Sequence, residues 1–332
     1  MSSRGAVVAW VILFTFSAVC HGAREFEVFP GSVVSPSLSS PNCITYHPAG
    51  FWVVSDTGND RIVLMNEDLT IRSELSEGLS RPRGVAVDLE GRIWICDSGS
   101  DRVLVVDEDL NVLQILGGAG NGPGEFDLPW GISSMGDRVA VSDSLNRRVQ
   151  VFDLNGSWVD TFGSRGTGPG EFDAPLDISF DSRGRILVVD SYLEAEGYVR
   201  RVQVFNHDYS FSHVIWDIQN RLRFTRPVGI GLDPGDNVAV ADFMANRIYL
   251  FDDNGKHLGG IGSVADQPNL VTPYDVAFAE LPDGEIMMGI VERDPGRVRT
   301  VLFTIPEVSM LAVLSLLTGF VCTSAARMGI HP

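Results

Sequence analysis

Basic residues and helical periodicity are scarce in this sequence, and each shortage excludes a class of protein. Lys256 is the single lysine, and 25 basic residues stand against 43 acidic ones, which gives a formal net charge of −18. A protein that grips a nucleic-acid backbone needs a basic footprint, so this balance argues against nucleic acid as the main partner. The absence of helical spacing across the repeated part of the chain excludes a helical bundle.

Six copies of one short pattern are present instead. Each copy begins at a proline and contains a strand, a Gly/Asp turn, a second strand that ends in an acid and a third that opens with arginine. The prolines are Pro41, Pro82, Pro129, Pro175, Pro227 and Pro273. A spacing of roughly 41 to 52 residues is typical of propeller blades. The sequence therefore predicts an all-β protein, a six-bladed β-propeller.

The second repeat shows how one copy would build a blade. Short β-branched runs bounded by Gly, Asp and Asn predict four antiparallel strands, at residues 84–88, 92–96, 102–106 and 112–116. The sixth repeat has only three predicted strands, 275–279, 286–291 and 298–305. The segment 24–31 (REFEVFPG) is similar to the outer strands of other repeats, so we expect this N-terminal strand to close the ring. The propeller would then span residues 24–305.

Two apolar stretches flank this domain. Residues 1–23 resemble a secretory signal peptide, with Arg4 before an apolar run and the small Gly22 and Ala23 at its end. In the C-terminal segment 306–332, residues 308–326 are apolar and uncharged, and as a helix of about 28 Å they would just cross a bilayer core. We expect a secreted or cell-surface protein with a single-pass transmembrane tether. A lipoprotein signal at Cys20, an uncleaved anchor, a packed or disordered tail and a lipid-anchor signal are the alternatives.

An acid and an arginine flank the second turn of every repeat. These pairs are Asp56 and Arg61, Asp97 and Arg102, Asp143 and Arg148, Asp190 and Arg201, Asp242 and Arg247, and Glu292 and Arg297. The two ends of a hairpin turn lie close together, so carboxylate and guanidinium can meet. Because the pairs recur in every blade, we interpret them as structural ion pairs rather than as six sites. Cys43 and Cys96 lie on adjacent blades, either as buried thiols or as a disulfide.

The repeats resemble the NHL-repeat family of six-bladed propellers. The resemblance is carried by PRGVAVD (82–88), DSGSDRVLVVD (97–107), GNGPGEFDLPWGI (120–132), DSLNRRVQVFD (143–153) and GTGPGEFDAPLDI (166–178). It covers all six repeats and is weaker in the first, where Cys43 replaces glycine, and in the last, where Glu292 replaces aspartate. It implies a scaffold that binds partners on one face, and it implies no single function.

Candidate binding residues concentrate on the upper face, which we define as the face where the innermost strands begin. They are Arg81, Arg83, Trp130, Tyr192, Tyr198, Arg221, Arg223, Arg226 and Tyr274. Basic and aromatic side chains on loops over a rigid scaffold suit a protein surface or an anionic glycan. RNA is the alternative, against which net acidity and secretion count. The remaining alternative is that these side chains form a solvated rim and bind no ligand.

An enzyme is the second hypothesis. Asp177 and Asp275 replace the glycine that follows Pro-x in other repeats, and they could hold calcium for a hydrolase or lyase at the channel mouth, although two carboxylates are few for such a site. Zinc is disfavoured because the four propeller histidines, His47, His207, His213 and His257, are predicted away from the mouth. We therefore expect a binding module with no cofactor, and calcium only in the enzyme alternative.

Overall fold

The computed structural model describes residues 27–29, 33–34, 38–191, 199–215, 224–262, 270–282 and 284–304. These residues form six antiparallel sheets, one for each repeat, so the chain is an all-β six-bladed propeller. In blades two to six the innermost strand begins at the proline of the repeat. In the first blade it begins at Ile44. Helical structure within the described residues is limited to two short 3-10 turns, Thr57–Asn59 and Ser98–Ser100.

The first three blades have four strands each, given from the channel outward. Blade one contains β3 (Ile44–His47), β4 (Phe51–Asp56), β5 (Arg61–Asn66) and β6 (Ile71–Leu75). Blade two contains β7 (Pro82–Val87), β8 (Ile93–Asp97), β9 (Arg102–Val106) and β10 (Val112–Gly117). Blade three contains β11 (Pro129–Met135), β12 (Arg138–Asp143), β13 (Arg148–Asp153) and β14 (Trp158–Phe162). The second blade matches the predicted strands to within two residues at each end.

The last three blades continue this order. Blade four contains β15 (Pro175–Phe180), β16 (Ile186–Ser191), β17 (Arg200–Phe205) and β18 (Phe211–Ile215). Blade five contains β19 (Pro227–Leu232), β20 (Val238–Asp242), β21 (Arg247–Phe251) and β22 (His257–Ile261). Blade six contains β23 (Pro273–Glu280), β24 (Ile286–Glu292) and β25 (Arg297–Thr304), and the short strands β1 (Glu27–Phe29) and β2 (Val33–Val34) pair with β25.

The terminal predictions lie largely outside this description. Residues 24–26 and 30–31 of the expected closing strand are not described, nor are residues 1–23 and 306–332. Closure by the N-terminus and a C-terminal apolar helix therefore stay predictions. Within the part of the chain that the structure describes, no helix has the length and apolar character needed to cross a membrane.

The hydrophobic core lies between neighbouring blades. Phe51 and Val53 of blade one, for example, belong to one buried cluster with Val85 and Ile95 of blade two. Such a cluster forms because strand residues alternate between the two faces of a sheet, so each blade presents an apolar face to both neighbours. A single blade could not bury both faces, and six together position a rigid set of loops around the channel.

Ion pairs hold the upper end of the blades. The acid and arginine are 2.7 Å apart for Asp56–Arg61 and Asp143–Arg148, 2.8 Å for Asp97–Arg102, 3.0 Å for Asp190–Arg201 and 2.5 Å for Glu292–Arg297, and Asp242 stands opposite Arg247 in the strand register. The buried carboxylate also accepts a backbone N–H from the loop before the innermost strand, as in Ser80 N–H to Asp97 Oδ1 at 2.6 Å. The pair thus joins two upper-face loops of its own blade.

Candidate functional site

The channel mouth is built by a repeated irregularity in the innermost strands. In blades two to six the pairing with the second strand shifts register just after the proline. The residue after the proline position forms what we call the mouth ring, which is Asn42, Arg83, Trp130, Leu176, Val228 and Tyr274. The next residue forms the inner ring, which is Cys43, Gly84, Gly131, Asp177, Gly229 and Asp275. Members of both rings enclose a cavity of about 10 Å³.

The two aspartates of the inner ring tie neighbouring blades together. Asp275 Oδ2 accepts the N–H of Ile44 in blade one at 2.9 Å, and Asp177 Oδ2 accepts the N–H of Ile230 in blade five at 2.8 Å. These donors belong to the next blade around the ring, so each aspartate links two neighbouring blades. An innermost strand has no further strand of its own sheet on the channel side, and a buried N–H that points that way requires another acceptor.

Cys43 occupies the corresponding position in blade one. The N–H of Val85 in blade two lies 3.4 Å from Cys43 Sγ, which makes a weaker version of the same link. Both Cys43 and Cys96 are free and buried, and burial is the main cause that raises the pKa of each thiol. They are therefore packed thiols rather than a disulfide, and neither has the lowered pKa of a reactive cysteine.

Glycine at two other inner-ring positions, Gly131 and Gly229, makes room for the aspartates. A Cβ on Gly229 would lie 2.4 Å from the carbonyl oxygen of Tyr274 and 2.7 Å from Asp275 Oδ1. A Cβ on Gly131 would lie 2.7 Å from Asp177 Cα in the same way. The innermost strands approach each other too closely here for any side chain on the glycine.

The two inner-ring carboxyls share one buried environment. Burial raises the pKa of Asp177 to about 6. Burial, and secondly the negative charge of Asp177, hold the pKa of Asp275 well above its usual range. Two carboxylates in a low-dielectric site do not both ionise readily, so the pair favours retaining a proton. Asp275 Oδ1 is buried without a hydrogen-bond partner in the described structure, so no donor offsets the burial of a negative charge on this oxygen.

These two residues do not fit a calcium site. Calcium takes six to eight oxygen ligands. Asp177 and Asp275 each spend one oxygen on a backbone N–H, and within the described ranges no three His, Cys, Asp or Glu side chains converge on one point. A pair that favours a proton is also a poor competitor for a metal ion. The two aspartates therefore lack the ligand set of a calcium-dependent site.

Arg83 is the most unusual member of the mouth ring. Its guanidinium carbon lies 3.5 Å from the centre of the Trp130 ring, a cation–π contact. Its Nε and Nη1 are buried without a hydrogen-bond partner. Burial is the main cause that lowers the pKa of Arg83 to about 10. An arginine normally satisfies its donors with carboxylates or carbonyls, so these two nitrogens are unused donors at the channel mouth.

A second group of arginines and aromatic rings adjoins the mouth in blades five and six. Arg226 lies 5.1 Å from the ring centre of Phe243, whose ring is 5.6 Å from that of Tyr274. Arg293 lies 4.8 Å from the Tyr274 ring. The hydroxyl of Tyr274 is buried without a partner. The two guanidinium groups thus rest on aromatic rings, and the Nε of Arg226 and the hydroxyl of Tyr274 have no hydrogen-bond partner.

The structure brings together only some of the residues proposed from the sequence. Arg83, Trp130 and Tyr274 meet at the mouth, but Trp130 is 5% exposed and Tyr274 2%, so neither offers an open stacking surface. Arg81 is exposed on the rim, where its N–H donates to Asp60 Oδ1 at 2.6 Å. Tyr192, Tyr198, Arg221 and Arg223 lie outside the described residues.

Two members of the site, Phe243 and Arg293, were missed from the sequence. Each follows the turn acid of its blade. In the first four blades that position carries a hydroxyl residue, Thr57, Ser98, Ser144 or Ser191. Thr57 and Ser98 use the hydroxyl to bond the carbonyl of the next blade's proline. Loss of this hydroxyl in blades five and six is the sequence signal that could have found both residues.

A wider cavity of about 170 Å³ follows below the inner ring. Among the residues that line it are the hydroxyl side chains of Thr45, Ser133, Ser134 and Ser179, together with the two inner-ring aspartates. Ser134 donates to the carbonyl of Val87 at 2.6 Å, which occupies one of these hydroxyls. The channel is therefore polar, and the mouth ring separates it from the upper face.

Comparison with known families supports the repeat assignment. The NHL repeat model matches residues 79–106, and a family described as a 6-bladed beta-propeller matches residues 129–195. No curated protein sequence matches the chain. The chain is thus a six-bladed propeller that carries the NHL repeat.

Solved structures share this fold at low sequence identity. A gluconolactonase from Xanthomonas campestris has a TM-score of 0.59 at 15% identity over 84% of this chain and 98% of its own. Virginiamycin B lyase from Staphylococcus aureus has a TM-score of 0.56 at 11% identity over 84% of this chain and 99% of its own. A chain of a nidogen/laminin complex has a TM-score of 0.52 at 16% identity over 66% of this chain and 79% of its own. At such identities the likeness concerns the fold alone.

Proposed function

We propose that this propeller is a binding module whose upper face takes an anionic partner, either a protein or an anionic glycan. The observation that carries the proposal is Arg83, a half-buried residue with two buried guanidinium nitrogens, Nε and Nη1, that have no partner at the channel mouth. A charged group that is buried without partners costs stability. Such a cost is understandable where a ligand supplies the missing acceptors, since strained and unsatisfied groups concentrate at functional sites.

The division of the arginines supports this proposal. Arginines such as Arg102 and Arg148, at the blade turns, pair with buried carboxylates and are neutralised. Arg83, Arg226 and Arg293 at the mouth rest on aromatic rings instead. An aromatic face orients a guanidinium without using its hydrogen-bond donors, so these three groups keep donors for an incoming anion.

The cellular setting is proposed from the sequence alone. Residues 1–23 would direct secretion, and residues 308–326 would tether the propeller outside the cell. One structural neighbour belongs to a nidogen/laminin complex, which is compatible with a binding role for a propeller of this fold.

An extracellular hydrolase or lyase is the alternative, and two structural neighbours have enzyme names. Its centre would be Asp177 and Asp275, which are buried and committed to neighbouring blades. That commitment favours a structural role for the pair, and we rank the enzyme below the binding module.

A binding assay on the full chain tests the proposal. A sulfated hexasaccharide and an acidic peptide are titrated against the wild type, Arg83→Gln and Arg138→Gln, with thermal unfolding measured for each. Arg138 pairs with Asp137 in an exposed turn of blade three, so its variant matches the lost charge away from the mouth. We expect Arg83→Gln to weaken binding by about 30-fold, as for other desolvated charge pairs, and to melt no lower than the wild type.

Two results would contradict the proposal. Binding of either probe that Arg83→Gln and Arg138→Gln weaken equally would reflect general charge rather than a site. A large fall in melting temperature on Arg83→Gln would mean that the guanidinium stabilises the fold and is not reserved for a partner.

A further inference from the structure

We infer that the partner is a protein segment that places one acidic side chain at the channel mouth, beside Arg83, and apolar side chains on the rim of blades five and six. This inference rests on the proposed function and narrows it from an anionic partner to a protein.

The groups around the mouth offer hydrogen-bond donors to a single carboxylate. Arg83 brings two unused nitrogens, and Tyr274 brings an unused hydroxyl. Trp130 and Tyr274 both line the same cavity of about 10 Å³, and Arg83 lies on the Trp130 face. A guanidinium binds a carboxylate through charge-assisted N–H···O bonds, so Arg83 is the cationic partner for such a group.

The rim beside the mouth is apolar where a glycan would want hydrogen bonds. Met244 is 59% exposed and Val271 is 39% exposed. Thr272 N–H donates to Asn246 Oδ1 at 2.8 Å, which fastens the segment with Val271 to the turn with Met244. Phe243 in the same turn reaches Tyr274 of the mouth ring. The exposed apolar side chains are therefore connected to the mouth through Phe243 and Tyr274.

This composition is that of a protein interface. Met, Arg, Tyr and Trp are enriched in the buried centre of protein–protein contacts, where Arg and aromatic residues contribute most of the affinity. A sulfated glycan would gain from the arginines but nothing from Met244 and Val271. The apolar rim is thus the feature that separates the two classes of partner.

The test uses the full chain as bait for a displayed library of random twelve-residue peptides. Selected peptides are resynthesised and titrated against the wild type and the variants Arg83→Gln, Met244→Ser and Met244→Leu. Ile115→Ser is the matched control, because Ile115 is 53% exposed on the outer strand of blade two, away from the mouth. A sulfated hexasaccharide is titrated in parallel against the same proteins.

We expect the selected peptides to carry Asp or Glu beside apolar residues. Their affinity should fall about 30-fold on Arg83→Gln and about 10-fold on Met244→Ser, with Met244→Leu and Ile115→Ser close to wild type. The melting temperatures of the variants report whether a loss comes from unfolding.

Three outcomes overturn the inference in different ways. If the hexasaccharide binds through Arg83, does not depend on Met244, and no peptide is enriched, the proposed function survives and the partner is a glycan. If enriched peptides lose affinity equally on Ile115→Ser and Met244→Ser, the rim is not the contact. If neither probe binds in an Arg83-dependent way, the proposed function fails as well.

Discussion

The buried pair Asp177 and Asp275 should make the fold less stable as pH rises, opposite to the usual behaviour of a paired carboxylate. A group whose pKa is higher in the folded state than in the unfolded chain stabilises the fold fully below its unfolded value. That contribution disappears as pH rises through the folded value. For Asp177 the window begins near its ordinary pKa of about 4 and ends just past its folded pKa of about 6.

The substitution Asp177→Asn removes the titrating group and keeps a side chain of nearly the same shape. An asparagine Oδ1 can still accept the Ile230 N–H that Asp177 now accepts. A difference of about two pH units at about 1.4 kcal/mol each makes the Asp177 contribution about 3 kcal/mol. About two-thirds of this contribution is lost between pH 4.5 and pH 8. Because the Asp177 charge also raises the pKa of Asp275, the variant should gain at least about 2 kcal/mol relative to the wild type over that range.

Urea unfolding at several pH values measures the difference directly. The control is Asp153→Asn, which removes the same single charge from an exposed lower-face turn. Hydrogen bonds from Ser157 and Asn155 hold the pKa of Asp153 below its usual value, so it titrates below this window. Its difference from the wild type should therefore stay flat from pH 4.5 to 8, apart from the general relief of repulsion in a chain of net charge −18.

A flat difference for Asp177→Asn would refute the reasoning, because it would mean that the carboxyl ionises as freely in the fold as in the unfolded chain. If the stability of Asp177→Asn relative to the wild type fell as pH rises, the result would also contradict the reasoning, since Asp177 would then stabilise the fold as a carboxylate. A rise of equal size in Asp153→Asn would assign the effect to net charge and leave the pair without a special role.

Two further predictions concern the same ring. Gly229→Ala should lower the free energy of unfolding, measured in urea, by about 3 kcal/mol, the upper end for overpacking, because its Cβ would meet the Tyr274 carbonyl and Asp275. The control Gly235→Ala should lower it far less, because that Cβ would lie 3.3 Å from a side-chain oxygen. Equal losses in the two variants would contradict the close approach of the strands at Gly229. Cys43 and Cys96 should resist iodoacetamide at pH 8 in the native protein and react after unfolding, as read by peptide mass spectrometry, because burial raises both pKa values; modification of either in the native state would contradict the packing.

The repeat made the fold predictable, because a blade is a local object. The prolines, the β-branched runs and the turn acids of one repeat lie within about fifty residues, and six copies of one pattern confirm one another. The predicted strands of blade two differ from β7–β10 by at most two residues. The acid and arginine of blade two were placed correctly across their turn for the same reason, since a hairpin fixes its own ends.

Contacts between blades were much harder to predict. Asp275 bonds the N–H of Ile44, which lies 231 residues away along the chain, and no local pattern contains both. The burial of Trp130 beneath Arg83 likewise depends on how blades two and three meet. The sequence could show that Asp177 and Asp275 replace glycine, but the partner of each carboxyl depends on the ring that brings the blades together.

Departures from the repeat point to the same place in the molecule. Cys43, Asp177 and Asp275 replace glycine in the inner ring, and each of their side chains serves a backbone N–H of the following blade. Phe243 and Arg293 replace hydroxyl residues at the turn, and neither makes the link to the next blade that Thr57 and Ser98 make. The first group of departures is satisfied within the fold by hydrogen bonds to the following blade. The second group instead places an aromatic ring and a cation against Tyr274. Because the side-chain oxygens of the aspartates are used between blades whereas these groups surround unsatisfied donors at the mouth, we place the binding site on blades five and six beside the mouth rather than on the aspartates beneath it.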